Sequence, residues 1–210
     1  MKYLYRIIVL LFFLTALFSE DAIKYSKIPE ISDNELSMFW DGKNILQPTV
    51  PIEFSSLYKD GPLLLSFWFL GCGPCVAEMK HLSKFNEKYK ESGFKIVSIN
   101  TDKQSKKRIK SFVKKKKYSF NMLFDQKGKD GVIKKLGGSD CPYTVLVNTD
   151  GTIYSKHTGY ERGDEVMLEK EINELIDYNK TLIKSVDADT IKVDIAPLQM
   201  VTPSGLQIKE

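Results

Sequence analysis

The feature that most constrains this chain is a buried-strand pattern that runs directly into two closely spaced cysteines. Leu63 to Leu70 is a continuous apolar run, bounded by Gly61-Pro62 and by Gly71. Its length and boundaries are typical of a strand that is buried on both faces in the centre of a parallel or mixed sheet. Cys72-Gly73-Pro74-Cys75 follows at once, and a helical pattern begins there. The sequence therefore predicts two thiols at the point where a central strand ends and a helix begins.

The rest of the chain predicts alternating helices and strands around this junction. Apolar residues recur at helical spacing from Pro74 to about Ser92, over residues 103–118 and over residues 165–178. In the last helix the pattern predicts an inward face formed by Val166, Leu168, Ile172, Leu175 and Ile176. Short apolar runs predict further strands at residues 94–100, 122–124, 143–148 and 152–157. This order predicts an α/β fold, a three-layer sandwich in which helices flank a mixed sheet.

One globular domain over residues 20–180 accounts for most of the 210 residues. Hydrophobic residues make up 42% of the chain and charged residues 28%, which excludes wholesale disorder. The formal net charge of +4 is too small to imply nucleic acid or an acidic membrane surface as a partner. Residues 181–210 form a C-terminal extension of unknown role. Polar and apolar residues alternate over residues 190–195, which is compatible with an added strand or with a loosely held tail.

The N-terminal residues predict an exported protein. Lys2 and Arg6 precede an almost unbroken apolar run over residues 7–18, and acidic residues follow that run at once. This arrangement is typical of a secretory signal over residues 1–19. The run is short for a membrane-spanning helix, which needs roughly 20 residues, but its cleavage site is poor. An uncleaved anchor that tethers a periplasmic or otherwise extracytoplasmic protein therefore stays open, as does a buried N-terminal helix of a cytosolic domain.

The cysteine content predicts a reactive pair, because three cysteines are too few for a disulfide-stapled scaffold. A thiol at a helix N-terminus faces unpaired backbone N–H groups and the positive end of the helix macrodipole, and both stabilise a thiolate. We therefore predict that Cys72 is the nucleophile. Cys75 lies within the first turn, where it can act as the resolving thiol. The alternative is half of a zinc site, although a zinc site needs four ligands and no second cysteine pair is present.

Glu78 is the candidate acid–base group. It follows Cys75 by three residues, so the two side chains share one face of the predicted helix. A carboxylate near a partly buried thiol raises the pKa of that thiol, and it can carry the proton during resolution. The alternative is a solvated carboxylate on the helix surface.

The strand and the cysteine pair together resemble a known superfamily. Leu65-Ser66-Phe67-Trp68-Phe69 leading into Cys72-Gly73-Pro74-Cys75 resembles the thioredoxin superfamily. Glu78 and the inserted block over residues 103–125 resemble its exported TlpA/ResA branch, and the resemblance covers about residues 35–178. It implies a thioredoxin-like fold and the reduction of disulfides in exported proteins, often in cytochrome c maturation. It also implies re-reduction by a membrane thiol–disulfide electron donor, and it implies no cofactor.

The same resemblance implies a substrate-binding loop opposite the cysteine pair. Members of the family have a cis-proline loop there, and Cys141-Pro142 occupies the expected position before a predicted strand. The resemblance implies that the residue before this proline pairs with the substrate backbone in the manner of a β-strand. It places Gly73 and Pro74 on the same surface. The alternative is an ordinary trans proline in a loop.

Three positions depart from the family pattern. Gly71 stands where an aromatic residue usually precedes the first cysteine, and Ser66 stands where thioredoxin has a buried acid. Proton transfer would then fall to Glu78 or to water. Cys141 stands where an aliphatic residue or Thr is usual. One hypothesis is that Cys141 forms an alternative disulfide or helps to bind a soft metal such as Cu(I); the other is that it packs as a small buried residue.

These patterns predict a thiol–disulfide oxidoreductase that reduces exported proteins through Cys72 and Cys75, with no resident metal. A copper-handling or thiol-holding protein that uses Cys72, Cys75 and Cys141 stays an alternative. A disulfide oxidase or isomerase is another, because the two residues between the cysteines do not fix the direction of electron flow.

Overall fold

The structure is a computed structural model that describes residues 26–103 and 105–191, with side chains as far as Thr181. Within these residues seven strands form one sheet in the order β2-β1-β5-β4-β3-β6-β7. The strands are β1 (Leu36–Asp41), β2 (Ile45–Pro51), β3 (Leu63–Trp68), β4 (Lys95–Asn100), β5 (Asn121–Asp125), β6 (Tyr143–Val147) and β7 (Ile153–Thr158). The helices are α1 (Gly73–Tyr89), α2 (Lys106–Lys116), α3 (Val132–Lys135) and α4 (Asp164–Ile191).

The sheet is mixed, as predicted. Strands β3, β4 and β5 run parallel to one another, whereas β6 and β7 on one side and β1 and β2 on the other are antiparallel to their neighbours. Helices α1, α2 and α4 contribute side chains to the hydrophobic cluster on one face. Helix α3 and the short 3-10 turn at Phe54–Leu57 contribute to the cluster on the other face. The predicted three-layer α/β sandwich is therefore confirmed.

Strand β3 is central because it is apolar on both faces. It pairs with β4 on one side and with β6 on the other, and every residue in it is buried. Leu64 and Trp68 enter one cluster, while Leu63, Leu65 and Phe67 enter the other. This alternation is the period of two that an extended strand imposes. The strand ends four residues before Cys72, so a fully buried element of the fold positions the cysteine pair.

The final helix differs from its prediction in length and in one core residue. Helix α4 continues to Ile191, so the beginning of the C-terminal extension is helical and Thr190 does not begin a strand. Leu168, Ile172 and Leu175 face the core as predicted, but Val166 is 71% exposed and its inward assignment is wrong. The reason is the helical period, because a residue two positions before Leu168 points to the opposite side of the helix.

Helix α2 is shorter than the predicted span of residues 103–118. Lys117 ends it with a left-handed backbone (φ 54°), and the Lys117 N–H donates to the carbonyl oxygen of Val113 at 2.9 Å. A single hydrogen bond of this kind closes many helices at their C-termini.

The predicted signal or anchor over residues 1–19 and the residues after Ile191 lie outside the described part of the chain. Among the helices of residues 26–191, none combines the length and the apolar character that a membrane crossing requires.

Candidate redox site

The two cysteines of the pair are joined by a disulfide at the N-terminus of α1. Cys72 is the N-cap residue, and its Sγ accepts a hydrogen bond from the Cys75 backbone N–H at 3.2 Å. Pro74 lies in the first turn, where its missing N–H leaves no bond unmade. Cys72 retains 4% exposure and Cys75 none, while Gly73 and Pro74 are exposed beside them. Cys72 is therefore the more accessible cysteine of the pair.

The loop between β3 and α1 is held by hydrogen bonds to the residues that follow β4. The Leu70 N–H donates to Oδ2 of Asp102 at 2.7 Å, and the Thr101 N–H donates to the carbonyl oxygen of Trp68 at 2.9 Å. Gly71 has a φ of 97°, in the left-handed region that strains any residue with a side chain. An aromatic residue at this position would therefore be strained by the backbone, although the space around it is open. Trp68 does not shield the site, because it is fully buried and packs against Phe112.

The Cys141–Pro142 peptide bond is cis, and the loop that contains it faces the disulfide. The carbonyl oxygen of Cys141 lies 3.9 Å from Cys72 Sγ. The carbonyl oxygen of Pro142 accepts a hydrogen bond from the Gly159 N–H at 2.8 Å, which ties this loop to the end of β7. The structure therefore brings together Cys72, Cys75 and the predicted substrate-binding loop. Substrate binding by Gly73, Pro74, Cys141 and Pro142 stays a prediction.

The third cysteine is unpaired and half-buried. Its Sγ lies 3.8 Å from Oγ1 of Thr101, and burial raises the pKa of the Cys141 thiol to about 11. In this oxidised state Cys141 is therefore a protonated thiol at neutral pH and packs against both hydrophobic clusters. In the described part of the chain, no group of three or more His, Cys, Asp or Glu residues is arranged to hold a metal ion.

Glu78 is buried beneath the pair rather than solvated on the helix surface. It is 3% exposed, and both of its carboxylate oxygens accept hydrogen bonds from hydroxyl groups. Thr144 Oγ1 donates to Oε1 at 2.7 Å and Ser66 Oγ donates to Oε2 at 3.0 Å. Burial raises the pKa of Glu78, and the two hydroxyl hydrogen bonds oppose that effect in part. The structure therefore places a buried carboxyl of α1 next to Ser66 of β3.

A cavity of about 190 Å³ lies next to Glu78. Thr144, His157, Tyr160 and Asp164 are among its lining residues. The His157 Nε2 lies 2.7 Å from Oε2 of Glu171, which holds the imidazole at the rim. Several water molecules fit in this volume, at about 30 Å³ each. Glu78 also lines this cavity, so its carboxyl borders a space large enough for water.

Sequence reasoning missed Ser66 and Thr144 as partners of Glu78. The sequence does mark both residues, because each is a polar residue in an otherwise apolar strand. Ser66 lies in β3, and Thr144 lies in β6, where the phenol of Tyr143 is the other polar group. The two residues lie directly opposite each other in the β3–β6 register. Side chains in such a pair point to the same face of the sheet. Recognising them required the pairing of two strands that are far apart in the sequence.

Comparisons with known proteins agree with this geometry. A family model described as Redoxin matches residues 25–175. The thiol-disulfide oxidoreductase ResA of Halalkalibacterium halodurans is 35% identical over 125 residues, which are 60% of this chain and 67% of that protein. The matches to two further ResA proteins span 61% of their length. The sporulation thiol-disulfide oxidoreductase A of Bacillus subtilis is 26% identical over 75% of this chain and 90% of its own.

Solved structures show the same fold. A thiol:disulfide interchange protein from a Bacteroides species superposes with a TM-score of 0.55 at 26% identity, over 71% of this chain and 90% of its own. A secreted Mycobacterium tuberculosis disulfide oxidoreductase superposes with a TM-score of 0.51 at 25% identity, over 60% of this chain and 90% of its own. With the Redoxin model matching well over half of its residues, the chain belongs to the Redoxin family, as a ResA-like member of the thioredoxin superfamily.

Proposed function

We propose that this protein reduces disulfide bonds in exported proteins through the Cys72–Cys75 pair. The observation that carries the proposal is the disulfide at the N-terminus of α1 with a cis-proline loop directly opposite. A thiol–disulfide oxidoreductase requires two thiols that close a disulfide without moving the backbone far, and a surface that presents substrate to one of them. Both are present at the same end of the sheet.

The reaction begins from the reduced pair. The Cys72 thiolate attacks one sulfur of a substrate disulfide, that bond breaks, and the other substrate sulfur leaves and takes a proton. The Cys75 thiolate then attacks Cys72 Sγ, which breaks the mixed disulfide and releases the second substrate thiol. The substrate gains two electrons and two protons, and the protein is left with the Cys72–Cys75 disulfide seen here. A membrane thiol–disulfide donor then returns two electrons to the pair.

The surroundings support different roles for the two thiols. The Cys75 N–H points at Cys72 Sγ, and the macrodipole of the 17-residue helix α1 adds a positive potential. Both favour Cys72 as the thiolate that attacks. Cys75 is fully buried and lies one helical turn from Glu78. Glu78 is the group that accepts the Cys75 proton before resolution and passes it to the cavity lined by Thr144 and His157.

Substrate binding is assigned to the loop that carries the cis bond. The Cys141 backbone is adjacent to Cys72, so an extended substrate segment that pairs with it would bring its disulfide to the attacking sulfur. The exposed residues Gly73 and Pro74 leave the approach open. The N-terminal pattern over residues 1–19 and the secreted relative both support action outside the cytoplasm. Apocytochromes c are one substrate class that the family resemblance suggests.

The assignment of the two thiols is tested by trapping. The reduced Cys75→Ser variant is expected to accumulate a mixed disulfide with native insulin, whose disulfide bonds are intact, because a hydroxyl cannot resolve the bond to Cys72. Cys72→Ser is expected to form none. Non-reducing electrophoresis and mass spectrometry measure both, and Cys141→Ala is the matched control that should turn over insulin without trapping it. Trapping by Cys72→Ser in place of Cys75→Ser would reverse the roles.

A further inference from the structure

A basic groove lies at the edge of the sheet, away from the cysteine pair. It has a volume of about 560 Å³ and runs between helix α2 and the edge strand β2. Four lysines of the helix line one side, and apolar residues of the strand lie on the other: Lys106, Lys107, Lys110, Lys114, Ile45 and Pro48. We call this feature the basic groove.

The charge of the basic groove is not balanced by acidic side chains. Residues 103–117 contain nine Lys or Arg and no Asp or Glu. Lysines outside the groove form ion pairs, such as Lys103 with Asp130 at 3.0 Å and Lys88 with Glu169 at 2.8 Å. Within residues 26–103 and 105–181, none of the four groove lysines has an acidic partner. Two of them contact neutral acceptors, namely the Leu46 carbonyl oxygen and the Gln126 amide oxygen.

Two features of these lysines are unfavourable for the helix itself, although Lys114 lies in the last turn, where positive charge is favoured. Lys106, Lys110 and Lys114 are spaced by four residues, so like charges meet on one face and repel one another. Lys106 and Lys107 also lie in the first turn, where the helix macrodipole disfavours positive charge. An anion in the groove would offset this repulsion between the lysines, and its binding would therefore stabilise α2.

We propose that the basic groove binds an acidic segment of another polypeptide. The lining favours a polypeptide over a membrane, because Ile45, Gln47 and Pro48 beside the lysines can contact the side chains and backbone of a segment that also carries carboxylates. The charge fits carboxylates, which a row of lysine ammonium groups attracts without strict geometry. The inference does not depend on the redox chemistry, since no groove residue contacts the cysteine pair.

The test is direct binding to the oxidised full-length protein. The probe is a fluorescein-labelled peptide with four glutamates, one leucine and four more glutamates. Its binding is measured by fluorescence anisotropy. The triple variant Lys107→Gln, Lys110→Gln and Lys114→Gln is expected to lose about tenfold or more in affinity, and wild-type binding is expected to weaken with added salt. The matched control removes the same charge at exposed lysines without ion pairs, through Lys59→Gln, Lys84→Gln and Lys156→Gln, and should stay within about twofold.

Three results would overturn the inference. The first is failure of the wild-type protein to bind the peptide at low salt. The second is an equal loss of affinity in the two triple variants, which would mean that only net charge matters. The third is that binding to phosphatidylcholine–phosphatidylglycerol vesicles requires the groove lysines, whereas binding to the peptide does not require them. Circular dichroism establishes that each variant is folded, and unchanged insulin reduction in both variants separates this test from that of the proposed function.

Discussion

At the scale of single residues, Glu78 is the most constrained side chain of the site. Burial opposes its charged form, whereas hydrogen bonds from Ser66 and Thr144 favour that form. Burial is the larger effect, so the pKa of Glu78 is raised above its ordinary value. A carboxyl balanced in this way is suited to accept a proton from Cys75 and to release it again.

Replacing this carboxyl by an amide is expected to stabilise the fold at neutral pH. Because the folded-state pKa of Glu78 is raised, the stability that its protonated form contributes is fully present below the unfolded pKa. That stability is lost as the pH rises through the folded-state pKa. Glutamine resembles the protonated form at every pH, so Glu78→Gln should have a higher free energy of unfolding than the wild type at pH 7, and the difference should shrink in acid.

Denaturant titrations of the oxidised proteins at several pH values measure this difference. Glu87→Gln on the exposed face of the same helix is the control. The difference in free energy of unfolding between this variant and the wild type should not grow from acid to neutral pH as it does for Glu78→Gln. Parallel stability curves for Glu78→Gln and the wild type across the whole pH range would contradict the burial argument.

The site was predictable from sequence where its chemistry is local. Cys72, Cys75 and Glu78 lie within the first two turns of a single helix, so their spacing alone places them together. Ser66 and Thr144 meet Glu78 only after β3 and β6 have paired, and the cavity needs β7 and α4 as well. Contacts of this kind depend on register, which a single sequence does not state.

At the scale of elements, the apolar stripe of each helix determines which side faces the sheet. In α4 this stripe is formed by Leu168, Ile172, Leu175 and Ile176, all of which are buried. Simple counting of apolar residues added Val166 to the stripe, although the helical period excludes it. The continuation of α4 to Ile191 was missed for a related reason, because residues after 180 lose the strong apolar period while remaining helical.

Two substitutions in α4 test this assignment of faces. Leu175→Ala should lower the free energy of unfolding by about 2–5 kcal/mol, because it removes buried methyl groups and leaves a cavity. Val166→Ala removes apolar atoms that are exposed to solvent, and it should change the stability by about 0.5 kcal/mol or less. Thermal or chemical unfolding of both variants decides the matter. Equal destabilisation by the two changes would mean that α4 presents a different face to the core.

At the scale of the whole molecule, the redox site and the basic groove belong to different parts of one sheet. The cysteine pair follows the central strand β3, whereas the groove lies against the edge strand β2. Asp102, which follows β4, accepts a hydrogen bond from the Leu70 N–H next to the redox loop, and α2 begins four residues after Asp102.

The reduction potential of the Cys72–Cys75 pair tests the central claim most directly. It is obtained by equilibrating the full-length protein with thiol–disulfide buffers and quantifying the free thiols, with Cys141→Ala measured alongside so that the third thiol is accounted for. A disulfide reductase is predicted to have a potential near that of thioredoxin, about −270 mV. A reduction potential of about −120 mV, the value of a strong oxidant, would contradict the proposed direction of electron flow.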